Sequence, residues 1–214
     1  LTNWNITTCE NLAYTFNNCQ ALKTITVGAN WNTSKVKNFN SAFSGCLELL
    51  VVPALDLSSA TDMTGMCNGC KKMTKIDGME TTTYNSSKVI NIQYAFYDCQ
   101  NLLYLPVLTT TSVSNASYTF FNCISMKGEP LSGSYWNSSI SSYSYCFYNC
   151  KALDNYPAIP DRWKGIGMTT YGLRKARAVV PQNTGEVVAL QAEILEKQNE
   201  LNMLINQMNS LLSE

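Results

Sequence analysis

The chain has 214 residues, 15 basic and 15 acidic side chains, a formal net charge of zero and 14% charged residues. Neutrality gives no electrostatic ground for a nucleic-acid or anionic-membrane partner. Histidine is absent, which removes the commonest general base and metal ligand and excludes a Ser-His or Cys-His nucleophile pair.

No stretch approaches the 18 or so consecutive apolar residues of a membrane span. The opening LTNWNITTCENL has no signal-peptide pattern. Leu1 reads as a processed or truncated start, because residues 1–12 already lie inside a repeat.

That repeat is carried by F-x-x-C. Its copies are Phe16-Asn17-Asn18-Cys19, Phe43-Ser44-Gly45-Cys46, Cys67-Asn68-Gly69-Cys70, Phe96-Tyr97-Asp98-Cys99, Phe120-Phe121-Asn122-Cys123 and Phe147-Tyr148-Asn149-Cys150. The six cysteines recur at steps of 27, 24, 29, 24 and 27 residues. The flanks keep phase. Seven residues before each Phe position stand Cys9, Val36, Ala60, Val89, Val113 and Ile140. Two residues further on come Asn11, Asn38, Asp62, Asn91 and Asn115, and three after the cysteine come Leu22, Leu49, Met73, Leu102, Met126 and Leu153.

Six phased copies of 24–29 residues predict a leucine-rich-repeat-like solenoid of short β-strands and turn segments over residues 1–157. One unit has too few apolar groups to bury a core alone, so the copies must stack. The expected core is Phe16, Cys19, Phe43, Cys46, Cys70, Phe96, Cys99, Phe120, Cys123, Phe147 and Cys150.

The phrases NTSKVKNFNSAFSGCLEL and LDLSSATDMTGMCNGCKKM resemble BspA-type leucine-rich repeats, in the variant of mycoplasma surface lipoproteins and gut-bacterial surface proteins. Trp31-Asn32-Thr33-Ser34-Lys35-Val36 matches the opening of that unit. The resemblance covers residues 1–157 and implies an extracellular recognition or adhesion solenoid. It carries no catalytic residue.

Nine cysteines raise disulfide and metal readings. The six in phase should face the core as a mostly reduced ladder, since free Cys behaves as a small buried hydrophobe. Cys9 and Cys67 replace an aliphatic and a Phe, and Cys146 precedes Phe147. Cys67-x-x-Cys70 lacks the second ligand pair that a structural zinc site needs, so no metal and no cofactor is expected. Sequons stand at Asn5, Asn32, Asn85, Asn115 and Asn137, and the first three fall at one repeat phase. That phase explains them without glycosylation.

Several aromatics are out of phase with the core: Tyr94, Tyr97, Tyr118, Tyr135, Trp136, Tyr143, Tyr145 and Tyr148. They are candidate binding-face residues, because Tyr offers large contact area at small entropic cost. Coil-to-coil stacking is the other reading.

The pattern fades after Tyr156, and residues 158–185 read as a cap and linker. From Glu186 to Glu214 the texture is helical, without Gly or Pro. Val187, Ile194, Leu201 and Met208 fall at a, and Leu190, Leu204 and Leu211 at d, with Lys197 the one polar d residue. This heptad predicts a parallel coiled coil. Apolar e residues Ile205 and Leu212 favour a trimer over a dimer.

These features predict a non-catalytic, multivalent surface protein: a solenoid on a coiled-coil stalk that binds a protein or glycan surface. A phage-type fibre or spike, or a bacterial adhesin, fits the plan, on a virion or cell surface. The absence of an evident anchor favours the fibre. A purely architectural subunit is the alternative. A glycan hydrolase is remote, because the acids are scattered and no pair recurs.

Overall fold

A computed structural model describes residues 1–78, 85–128 and 140–165. The chain divides into two compact units, Leu1–Met168 and Thr169–Glu214. The second lies outside the described residues, and with it the expected helix over residues 186–214.

Within the first unit each repeat lies beside the next in parallel. Bridges pair Asn11 with Asn38, Asn38 with Asp62, Asp62 with Asn91, Asn91 with Asn115, and Asn115 with Ser142. The spacing of the partners is the spacing of the repeat, so the sequence period is also the period of the backbone pairing. Regular strand among the described residues is confined to β1, Val51–Val52, and β2, Lys75–Ile76, which pair in parallel as Val51 to Lys75 and Val52 to Ile76.

The scarcity of strand follows from alternating backbone hydrogen bonds. In the first repeat Leu12, Tyr14, Phe16 and Asn18 donate their N–H groups across to Asn38, Asn40, Ala42 and Ser44, at 2.6–2.9 Å. The residues between them turn inward: Thr15, Asn17 and Cys19 donate to the carbonyls of Leu12, Tyr14 and Phe16. Every second amide therefore joins two repeats and the others close tight turns, which leaves none for an extended ladder.

Such a path needs left-handed residues. The positions two before the Phe phase have φ of 52–60° at Tyr14, Ser41, Gly65, Tyr94, Tyr118 and Tyr145. The positions two after it have φ of 56–73° at Asn18, Gly45, Gly69, Asp98, Asn122 and Asn149. Asn, Asp and Gly in F-x-[N/D/G]-C suit this conformation, because they tolerate positive φ best.

Asn at the bridge positions closes a second turn. The Oδ1 atoms of Asn11, Asn38, Asp62, Asn91 and Asn115 accept the N–H of the residue two further on, at 2.8–3.1 Å. The sequon phase does the same: Asn5, Asn32 and Asn85 accept from Thr7, Ser34 and Ser87. Repetition of N-x-S/T is therefore turn chemistry.

The core runs through every repeat. Phe43, Phe96, Phe120 and Phe147 are completely buried, as are Cys46, Cys70, Cys99, Cys123 and Cys150. Phenylalanine rings stack between repeats: Phe16 on Phe43 at 5.4 Å, Phe96 on Phe120 at 5.3 Å, and Phe120 on Phe147 at 5.5 Å. Cys67 interrupts the column between Phe43 and Phe96.

Each thiol also serves the backbone. Cys46, Cys70, Cys99, Cys123 and Cys150 donate S–H to the carbonyls of Phe16, Phe43, Cys67, Phe96 and Phe120 in the preceding repeat, at 2.8–3.1 Å. A residue here must be small, apolar in bulk and able to donate, and cysteine meets all three needs.

The first repeat departs from the expected core. Phe16 is half-buried and Cys19 exposed. The thiols of Cys46, Cys70, Cys99, Cys123 and Cys150 each find an acceptor in the repeat before their own. Trp4 stacks on Phe16 at 5.8 Å and covers one side of it.

After the sixth repeat the chain turns back against it. Asn155, at φ 53°, leads into a 3-10 turn at Tyr156–Ala158, and Pro160 precedes the short helix α1, Asp161–Lys164. The N–H of Phe147, which in other repeats would seek the next copy, donates to the carbonyl of Trp163. Residues 158–165 of the predicted cap and linker thus close the last interface.

Candidate functional site

Two columns of rings cross the fourth, fifth and sixth repeats. Tyr94, Tyr118 and Tyr145 stack at successive centroid distances of 5.1 and 5.1 Å, tilted by 17° and 13°. Tyr97, Phe121 and Tyr148 stack beside them at 4.7 and 4.6 Å, nearly parallel. Rungs join the columns: Tyr94 meets Tyr97 at 5.7 Å, Tyr118 meets Phe121 at 5.9 Å and Tyr145 meets Tyr148 at 6.0 Å.

Local backbone places these rings. The first column occupies the left-handed position before each Phe, and the second follows each Phe directly. Tyrosine in that conformation costs roughly 1–2 kcal/mol relative to a right-handed residue. Asn, Asp or Gly would fill it with less strain, and Gly65 does so in the third repeat. Stacked aromatic pairs return about 0.5–1.5 kcal/mol each, so the two pairs of a run of three offset only part of the strain.

The columns end differently. A side chain at Gly165 would run into the ring of Tyr145, so the backbone there lies directly against that ring. At the other end the third repeat carries Gly65 and Asn68 at the two column positions, and no ring continues either column among the described residues.

Of the expected binding-face residues, Tyr94, Tyr97, Tyr118 and Tyr145 stand in the columns half-buried, and Tyr148 is 43% exposed. Tyr143 does not join them. Its ring packs against the core, with Trp163 at 5.4 Å and the Arg162 guanidinium at 4.6 Å over its face. It stands at the phase held by Met63 and Ile92, which are buried. Tyr135 and Trp136 lie outside the described residues, as do the expected oligomerisation residues Val187, Leu190, Ile194, Leu201, Leu204, Met208 and Leu211.

Two ring residues were not singled out from the sequence. Phe121 completes the second column, and Tyr14 holds the first-column position in the first repeat, 60% exposed. Their phase relative to Tyr97 and Tyr94 was the available signal. Phe121 was masked by its neighbour Phe120, which takes the core position.

Electrostatics around the columns is mild. Burial pushes the Tyr118 phenol above its ordinary range, and the facing phenols of Tyr94 and Tyr145 add to this. Asp98, next to Tyr97, accepts from Gln100 and Asn122 and pairs with Lys71 at 3.5 Å. Cross-repeat pairs Lys37–Glu10 and Lys72–Glu48, both at 2.8 Å, are solvent-exposed and so contribute little to stability.

The cysteines are all free. Burial raises the thiol pKa of Cys46 to about 12 and shifts Cys67, Cys99, Cys123 and Cys146 upward as well. Such thiols are poor nucleophiles and poor metal ligands. No group of three or more metal-ligating side chains occurs among the described residues. No helix among them is long and apolar enough to cross a membrane.

The family described as "Mycoplasma protein of unknown function, DUF285" matches residues 1–78 and again residues 61–164. The chain belongs to this family. The two matches overlap in the third repeat, so one DUF285 unit spans several copies of F-x-x-C, and the second match runs through α1. No curated protein and no solved structure matches the chain. In this DUF285 chain the columns of rings are confined to repeats within the second match.

Proposed function

We propose that the protein is a non-catalytic recognition protein, in which a BspA-like repeat solenoid presents the ring columns of repeats four to six to a protein or glycan surface. The observation that carries this reading is the strained left-handed tyrosine run, Tyr94, Tyr118 and Tyr145, with φ of 56–59°. Scaffold needs alone are met by Gly65 and Ser41 at the same phase. Strained residues gathered in one place are a mark of function. Tyrosines among Asn and Ser side chains form the kind of surface that adapts to a ligand.

In this reading residues 186–214 form a parallel trimeric coiled coil that displays three copies outside the cell, on a virion fibre or a bacterial surface. Three weak sites then act with avidity. Membership of DUF285 agrees with the resemblance to mycoplasma surface repeats.

The test has two parts. Light scattering on the full chain and on residues 1–185 should give a trimer and a monomer. Arrays of immobilised glycans and host-surface proteins, probed with the full chain, should yield a ligand whose binding falls at least tenfold in a Tyr97→Ala, Tyr148→Ala double variant. A monomeric full chain would remove the stalk, and binding indifferent to both tyrosines would remove the ring columns from recognition.

A further inference from the structure

The two ring columns differ in what they present to solvent. Every ring of the first column carries a hydroxyl, on Tyr94, Tyr118 and Tyr145. In the second, Tyr97 and Tyr148 carry one and Phe121 between them does not. Stacking occupies the faces of the inner rings, so edges and hydroxyls are what remains for a partner. None of the five hydroxyls bonds to a protein group among the described residues, and none is buried. They therefore face water, and Tyr148 is 43% exposed.

The second column thus sets a hydroxyl, an apolar ring and a hydroxyl in line, at steps of 4.7 and 4.6 Å. A polyproline II helix advances about 3.1 Å per residue and returns the same side every third residue, about 9.3 Å along. Two steps of the column match that repeat. A β-strand covers about 10 Å in three residues, but the side chain there points to the opposite face. An α-helix satisfies its own carbonyls and leaves none for a row of phenols. Polyproline II carbonyls have no internal partner, and proline brings no N–H in need of an acceptor. Phenol hydroxyls can donate to such carbonyls.

Charge points the same way. Asp98, the acid next to Tyr97, is paired with Lys71 at 3.5 Å and accepts from Gln100 and Asn122. Its charge is already answered within the protein, which suits an uncharged ligand. We infer that the columns of repeats four to six bind a proline-rich segment of a partner protein, held as a polyproline II helix along the columns. Tyr97 and Tyr148 donate to carbonyls one turn apart, and the edge of Phe121 packs on the pyrrolidine ring between them. Such a segment is ordered before it binds, so docking costs little further entropy. This rests on the recognition reading and names its class of partner.

Removing the hydroxyls alone tests it, because Tyr97→Phe and Tyr148→Phe keep both rings in the column. Tyr104→Phe is the control, since Tyr104 is 53% exposed and belongs to neither column. Fluorescence anisotropy with the full chain would use dye-labelled decaproline, a Gly-Ser decamer and a soluble tetramer of glucose as probes.

Decaproline should bind the native chain at least tenfold more tightly than the Gly-Ser decamer or the glucose tetramer. The Tyr97→Phe, Tyr148→Phe double variant should weaken it at least tenfold, and Tyr104→Phe should hold it within twofold. Decaproline binding that survives the double variant, or that the Gly-Ser decamer equals, would overturn the inference. So would preference for the glucose tetramer, which would point to a glycan instead. An array ligand that is lost in the Tyr97→Ala, Tyr148→Ala variant, from a chain that ignores decaproline, would overturn the proline-rich partner and leave recognition by the columns standing. A chain that binds neither decaproline nor any array ligand would overturn the inference and remove support from both.

Discussion

The Cys70 thiol donates to the Phe43 carbonyl at 3.0 Å, from one repeat back to the one before it. The same carbonyl accepts the N–H of Cys46 within its own repeat. One buried oxygen thus closes a local turn and joins two copies. Cys70→Ala removes the donor and leaves a small void. The loss of a hydrogen bond and of packing predicts a cost of about 1–3 kcal/mol, read as a lowered urea midpoint. Cys19→Ala, at the exposed position, should stay within about 0.5 kcal/mol. Equal effects at both positions would refute the role given to the thiol bond.

Burial of the ladder makes stability depend on alkaline pH. The folded-state thiol pKa values of Cys46, Cys67, Cys99, Cys123 and Cys146 lie above the unfolded ones, at about 12 for Cys46. The neutral thiols' contribution is complete below the unfolded value near 8.5. It falls as pH rises through the window from about 9 to the folded pKa, by up to about 1.4 kcal/mol per pH unit for each such thiol. Denaturant titrations at pH 7, 9 and 10.5 should show this decline. At pH 8 a thiol reagent should label Cys19 quickly, while Cys46, Cys70, Cys99, Cys123, Cys146 and Cys150 should react only on unfolding. Rapid native labelling at any of these six would contradict their burial.

Tyr14 and Tyr118 share a backbone conformation, with φ of 60° and 59°, and differ in neighbours. Tyr118 stacks on both Tyr94 and Tyr145, whereas Tyr14 is 60% exposed. Glycine relieves the strain equally at both sites. Tyr14→Gly should therefore be neutral within about 0.5 kcal/mol. Tyr118→Gly should cost about 1–3 kcal/mol, because two stacked pairs are lost. Matching thermal shifts in the two variants would show that the columns add nothing to stability.

Asn38 accepts the N–H of Asn40 at 2.8 Å, and Asp62 accepts that of Thr64 in the same way one repeat later. The carboxylate and the amide oxygen are thus interchangeable at this turn. Asn38→Asp should leave stability nearly unchanged at pH 7, while Asn38→Ala should cost about 1 kcal/mol. Thermal melts of the two variants decide this, and an equal loss in both would point to the Asn38 amide N–H groups instead.

The sequence alone determined the period, the phase and the identity of the buried residues in repeats two to six, because a residue repeated six times must meet the same environment six times. Phe43, Cys46, Phe96 and Cys99 were legible for that reason. It also exposed the turn chemistry of Asn and Gly, which acts over two or three residues. The tertiary structure decided what depends on neighbours in space. Cys19 is exposed although it holds the phase of the buried cysteines. Tyr143 stands at the core phase of Met63 and Ile92, which the sequence already held, while its partners Trp163 and Arg162, 19–20 residues further along the chain, were set by the tertiary structure. Phe121 and Tyr97 became one column only when their repeats were placed side by side. Strand content followed the same rule: periodicity announced pairing between copies, but left-handed residues at alternate pairing positions diverted half of the amides into turns.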